Sequence, residues 1–143
     1  MPGIEEAVAL AALAHAGQKD KAGEPYLLHP LRVMLRLAGE DARIIAVLHD
    51  AVEDTEVTLD DLRKKGFSEA VVRGVDALTR REGETYEAFI DRLAPDALAR
   101  QVKLADLEDN MDLRRRIPLT PADFERLDRY WRAYARLKSI TSP

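Results

Sequence analysis

The chain has 143 residues, 46% hydrophobic and 34% charged, which is the size and balance of one folded domain rather than of a disordered segment. Its 22 basic and 26 acidic side chains leave a net charge of -4, which argues against a broad electrostatic grip on DNA or RNA but leaves room for one nucleotide in a local basic pocket. With no cysteine there is no disulfide, thiolate nucleophile or thiolate metal site, and no apolar run approaches the ~18 residues of a membrane span.

The acidic opening Met1-Pro2-Gly3-Ile4-Glu5-Glu6 lacks the basic region of a secretory signal, so the expected compartment is the cytoplasm and the expected organisation is one domain over residues 1–143. From Ile4 to Ala16 apolar residues recur at helical spacing, with Glu5 and Glu6 where they complement the helix dipole. Residues 17–25 are polar, carry Gly23, and read as a loop. Pro30 suits the first turn of a helix from His29 to Ala38, stopped by Gly39, and a third helix runs from about Asp41 to Val52. Thr58-Leu59-Asp60-Asp61 opens a short helix closed by Gly66, and Ser68 caps another through Val71, Val72, Val75 and Leu78. Further helices are expected over Thr85 to Leu93, Pro95 to Arg114, and Pro121 to Ile140. No segment alternates apolar and polar residues for long enough to make a strand, so the fold class is all-α, a helical bundle.

Chemistry gathers at the histidines. His49-Asp50-Ala51-Val52-Glu53-Asp54 follows the apolar run Ile44 to Leu48, so this polar cluster emerges from a buried helix. At about 100° per residue, Glu53 lies close round from His49 and Asp54 from Asp50. Carboxylates crowded on one face at the edge of a core demand a cation. His29, between Leu28 and Pro30, and the pair Asp106 and Asn110, four residues apart, are weaker signals taken alone, a satisfied core histidine and a solvated helix face.

Four segments in order carry a resemblance: Ala14-His15-Ala16-Gly17-Gln18, Gly23-Glu24-Pro25-Tyr26-Leu27-Leu28-His29-Pro30, Leu48-His49-Asp50-Ala51-Val52-Glu53-Asp54-Thr55, and Val102-Lys103-Leu104-Ala105-Asp106 with Asn110-Met111. Together, over residues 14–111, the chain resembles the HD-domain phosphohydrolases, and among them the alarmone hydrolase domain of the RelA/SpoT type with its small stand-alone relatives of the metazoan SpoT-homologue kind. The resemblance implies that His29, His49, Asp50 and Asp106 hold one divalent metal, manganese in this family. It makes Glu53 and Asp54 the catalytic acidic pair, and Asn110 and Lys21 substrate contacts. Two imidazoles and two carboxylates suit a borderline or hard dication independently of the family, and on that chemistry zinc or iron fits as well.

The implied activity is hydrolysis of guanosine 3′,5′-bispyrophosphate (ppGpp) to GDP and pyrophosphate, a small-molecule reaction needing neither nucleic acid nor membrane. Two alternatives stand beside it: an HD phosphohydrolase of another nucleotide or phosphorylated cofactor, and an HD module that senses a nucleotide without turning it over. The first draws on departures from the family pattern, since Asp20, Leu107, Asp109 and Asp112 each remove positive charge or add negative charge near a polyanionic substrate. Arg114, Arg115 and Arg116 are the cations at hand to compensate. His15 reads as packing or support behind the ligands, and Lys103 either as the partner of a helix-face acid or as a group that approaches a phosphate. Tyr130, Trp131, Tyr134 and Leu137 read as core or as a self-association face, the basis for expecting a homo-oligomer.

Overall fold

A computed structural model describes residues 1–115 and 118–140 of the chain; Arg116 lies outside them. Eight α-helices are present among the described residues: α1 (Ile4–Ala14), α2 (Leu28–Leu35), α3 (Glu40–Asp54), α4 (Leu59–Lys64), α5 (Glu69–Ala77), α6 (Tyr86–Leu93), α7 (Ala97–Asn110) and α8 (Pro121–Lys138), with a 3-10 turn at Leu113–Arg115. The all-α expectation holds. Among the described residues the only β pairing is the isolated bridge between Lys19 and Pro25.

Local chemistry starts most of these helices. Thr58, Ser68, Thr85, Asp96 and Thr120 each accept a hydrogen bond from the backbone N–H three residues on, satisfying a donor that the first turn leaves orphaned. Thr58 and Thr120 complete reciprocal capping boxes with Asp61 and Asp123. Several boundaries differ from the sequence reading by a residue or more. The first helix ends at Ala14 and the second at Leu35, and the chain then turns through Gly39, whose φ of 90° a side-chain-bearing residue would resist. The helix expected over Pro95 to Arg114 divides after Asn110, where Asp112 Oδ1 accepts the Arg114 N–H at 3.1 Å and offers the backbone a tight turn in place of another helical one.

The centre of the bundle is α3, which packs against α1, α2, α5 and α7. Every residue from Ile44 to Ala51 is buried. Burying a side chain such as Ile45 or Leu48 contributes about 1.5–3 kcal/mol, so the core holds α3 firmly in place. That matters for the site, because the apolar run continues directly into His49 and Asp50. The aromatic stripe of α8 divides: Leu137 joins the core, Tyr130 packs 6.2 Å from Tyr86, and Trp131 stays 60% exposed. None of the helices among the described residues is long and apolar enough to cross a membrane.

Candidate functional site

Helices α2, α3 and α7 deliver His29, His49, Asp50 and Asp106 to a cleft of about 560 Å³. Ligand atoms of His29, Asp50 and Asp106 all lie within 4.8 Å of one another. His29 Nε2 is 2.8 Å from Asp106 Oδ1 and 3.6 Å from Asp50 Oδ2. His49 stands beside this trio, its Nε2 3.1 Å from Asp50 Oδ1, while its Nδ1 donates to the Ala46 carbonyl at 3.0 Å. Tyr26, part of the Gly23 to Pro30 segment but with no role legible in the sequence, donates its hydroxyl hydrogen to Asp50 Oδ2 at 2.9 Å.

The cations demanded by the clustered carboxylates are present. Lys103 Nζ lies 2.9 Å from Asp106 Oδ2, the acid pairing expected of it. Burial disfavours charge on His29, but hydrogen bonds to Asp106 and Asp109 outweigh it and raise its pKa to about 10. Burial likewise opposes charge on His49, and the facing Asp50 carboxylate lifts it to about 9. Desolvation would raise the carboxyls of Asp50 and Asp106, yet His49 beside the first and Lys103 beside the second hold both below the usual range. A divalent ion suits this arrangement. The donors are carboxylate oxygens and imidazole nitrogens with no sulfur, and the proton between His29 Nε2 and Asp106 occupies lone pairs that a dication could take instead.

Glu53 and Asp54, at the end of α3, line the same cleft, and with Asp50 they form a second carboxylate cluster within 4.8 Å. Glu53 Oε1 accepts the Arg80 backbone N–H at 3.1 Å, a contact invisible in the sequence because it joins residues 27 apart. Desolvation raises the carboxyls of both Glu53 and Asp54, with further push from Asp50. Asn110 reaches Asp106 Oδ1 through its Nδ2 at 3.4 Å, and Lys21 lies on the exposed cleft wall together with Lys19. His15 is buried behind the site: its Nδ1 pairs with Gln18 Oε1 at 2.8 Å and its ring lies 5.1 Å from that of Tyr26.

The acidic departures are each engaged by neighbours. Asp20 Oδ1 accepts the N–H groups of Ala22 and Glu24, both at 2.9 Å, and so shapes the loop that carries Lys21. Leu107 is a fully buried core residue. Asp109 pairs with His29 and Arg32, and Asp112 with Arg114 and Arg115 at 2.6 and 3.4 Å. Asp109 and Asp112 therefore carry counter-cations of their own, while Arg114 and Arg115 are partly committed to them. Spacing held a signal for two of these contacts: Asp109 is three residues from Asp106 and Arg32 three from His29, so each shares a helix face with a member of the cluster.

A family model described as HD domain matches residues 7–119, and the chain belongs to the HD domain family. The chain is 35% identical over 120 residues to a guanosine-3′,5′-bis(diphosphate) 3′-pyrophosphohydrolase of Aquifex aeolicus, covering 76% of this chain and 17% of that protein. It is 38% identical over 121 residues to a GTP pyrophosphokinase of Streptomyces coelicolor, with 76% and 14% covered, and 32% identical over 137 residues to the bifunctional (p)ppGpp synthase/hydrolase SpoT of Escherichia coli, with 80% and 19% covered. The chain thus spans less than a fifth of the length of these curated relatives. A solved structure described as a metazoan ortholog of SpoT that hydrolyzes ppGpp superposes with a TM-score of 0.78 at 25% identity, covering 97% of this chain and 86% of that one.

Proposed function

We propose that this chain is a metal-dependent hydrolase that cleaves ppGpp to GDP and pyrophosphate and works as one HD-type domain. The observation that carries the reading is the meeting of His29, Asp50 and Asp106, from three helices, in one cleft with the acid pair Glu53 and Asp54. The names of the relatives and of the solved structure point to the same substrate.

His29, His49, Asp50 and Asp106 would hold the ion, manganese in this reading, which when bound supplies positive charge to polarise the phosphoryl group and acidify water. Glu53 or Asp54 takes the proton of the attacking water; a carboxyl raised above its ordinary pKa is the stronger base for that task. Water oxygen bonds to the phosphorus on the 3′ oxygen, that P–O bond breaks, and the carboxyl passes its proton to the freed 3′ oxygen, which becomes the hydroxyl of GDP as pyrophosphate leaves. Asn110 and Lys21 contact the nucleotide.

The alternative of another nucleotide as substrate draws on Asp20, Leu107, Asp109 and Asp112, and the ion pairs that Asp109 and Asp112 make within the protein weaken the part of it that rests on those two. The test is incubation of purified protein with manganese and ppGpp, following GDP and pyrophosphate. Turnover abolished by Asp106→Asn is the expected result. Intact ppGpp alongside cleavage of a different nucleotide would transfer the assignment to the alternative substrate, and binding without hydrolysis by both wild type and Glu53→Gln would make the chain a sensing module.

A further inference from the structure

Asp109 is 0% exposed, and a carboxylate in such a place is tolerated only when its lone pairs are used. Three side chains use them. His29 Nδ1 lies 2.7 Å from Oδ2, Arg32 Nε donates to Oδ1 at 2.8 Å, and Arg115 Nη2 approaches Oδ2 at 3.5 Å. The guanidinium groups of Arg32, Arg115 and, at 3.9 Å, Arg36 compensate its charge, so Asp109 stays an acceptor rather than a donor even when one of them is removed. The opposite nitrogen of the same ring, Nε2, faces Asp106 at 2.8 Å and Asp50 at 3.6 Å.

We propose that Asp109 is a positioning residue for the metal centre: by accepting the Nδ1–H of His29 it fixes the ring's orientation and tautomer, leaving Nε2 as the nitrogen that faces the ion. A neutral imidazole carries one N–H, so an acceptor at Nδ1 decides which nitrogen keeps it. Ligating histidines characteristically donate their second nitrogen in this way, and loss of the acceptor typically costs about 10–100-fold in metal affinity. The two histidines of the site are held by different means. His49 Nδ1 is anchored by the Ala46 carbonyl of its own helix, whereas His29 in α2 depends on a side chain 80 residues further on in α7. The same contact also ties the two helices together, so a purely structural role is the competing explanation.

The inference rests on the metal-centre reading above, and the experiment separates the two. Manganese affinity is measured by calorimetry for wild type, Asp109→Asn and Arg32→Gln, with circular dichroism to verify folding. Asp109→Asn is expected to lose about tenfold or more in affinity. Arg32→Gln, which removes an interhelical ion pair but leaves the His29 contact, is expected to bind manganese as wild type does. Equal losses in both variants, or none in Asp109→Asn, would overturn the positioning role. The second readout needs no variant: in zinc-loaded, 15N-histidine-labelled wild type, His29 is expected to keep its proton on Nδ1, and metal on Nδ1 would overturn the proposal. A wild type that binds neither ion would overturn the metal centre itself, and the positioning role with it.

Discussion

Gly74 gives the sharpest check on the packing that positions α3. A Cβ built there would stand 2.5 Å from Ile45 Cδ1 and 3.1 Å from Cγ1, well inside the roughly 3.5–4.0 Å of a favourable carbon contact. Ile45 is fully buried in the core cluster, so its end has little freedom to swing aside. Replacing a mid-helix glycine by alanine contributes about 1 kcal/mol in helix propensity. Overpacking of a close-fitting core costs about 1–3 kcal/mol, and with two atoms of one buried side chain in the way the upper half of that range applies. Gly74→Ala should therefore be destabilised by about 1–2 kcal/mol net in urea unfolding followed by circular dichroism, despite its better helix former. The double variant locates the cause. Ile45→Val deletes Cδ1 and alone costs about 0.5–1.5 kcal/mol, but combined with Gly74→Ala it should recover about 1 kcal/mol or more relative to the sum of the two. A Gly74→Ala protein as stable as wild type, or a strictly additive double variant, would refute the close approach of α5 to α3.

Three further outcomes follow from other contacts. Lys103→Met keeps much of the side-chain bulk but leaves buried Asp106 without its ammonium; removal of one partner from a buried pair typically costs about 3–5 kcal/mol, and added manganese should restore part of the loss in thermal melts. The Glu84 carboxylate is held at a pKa of about 2, below its ordinary 4.5, chiefly by the hydrogen bond from Arg92. Its contribution is thus present above pH 4.5 and is lost as pH falls toward 2, so the melting-temperature gap between wild type and Glu84→Gln should be open at pH 7 and narrow progressively in titrations to pH 3. Glu53→Gln should lower ppGpp turnover by about 10²–10⁴-fold in steady-state kinetics with little change in melting temperature, and an unimpaired rate would remove Glu53 from proton transfer.

The helices were legible because their signals are local. Thr58, Ser68, Thr85 and Thr120 stand within three residues of the donors they satisfy, and the period of the apolar residues needs only a turn or two to show. The break after Asn110 was not legible, because helix propensity runs on through it while the tie of Asp112 to Arg114 depends on the chain having already turned. The site divides along the same line. His49, Asp50, Glu53 and Asp54 lie together on one helix, so their common face follows from periodicity, whereas the approach of His29 to Asp106 came only from ordered motifs, since nothing local links residues 77 apart. Asp109 shows how a charge read from sequence can mislead. Counted as a formal negative near a polyanion it predicts repulsion, but paired with His29, Arg32 and Arg115 its charge is already compensated inside the protein. What a nucleotide meets is set by the charge left over after such pairing, and that residue of charge is a property of the packed helices rather than of the sequence pattern.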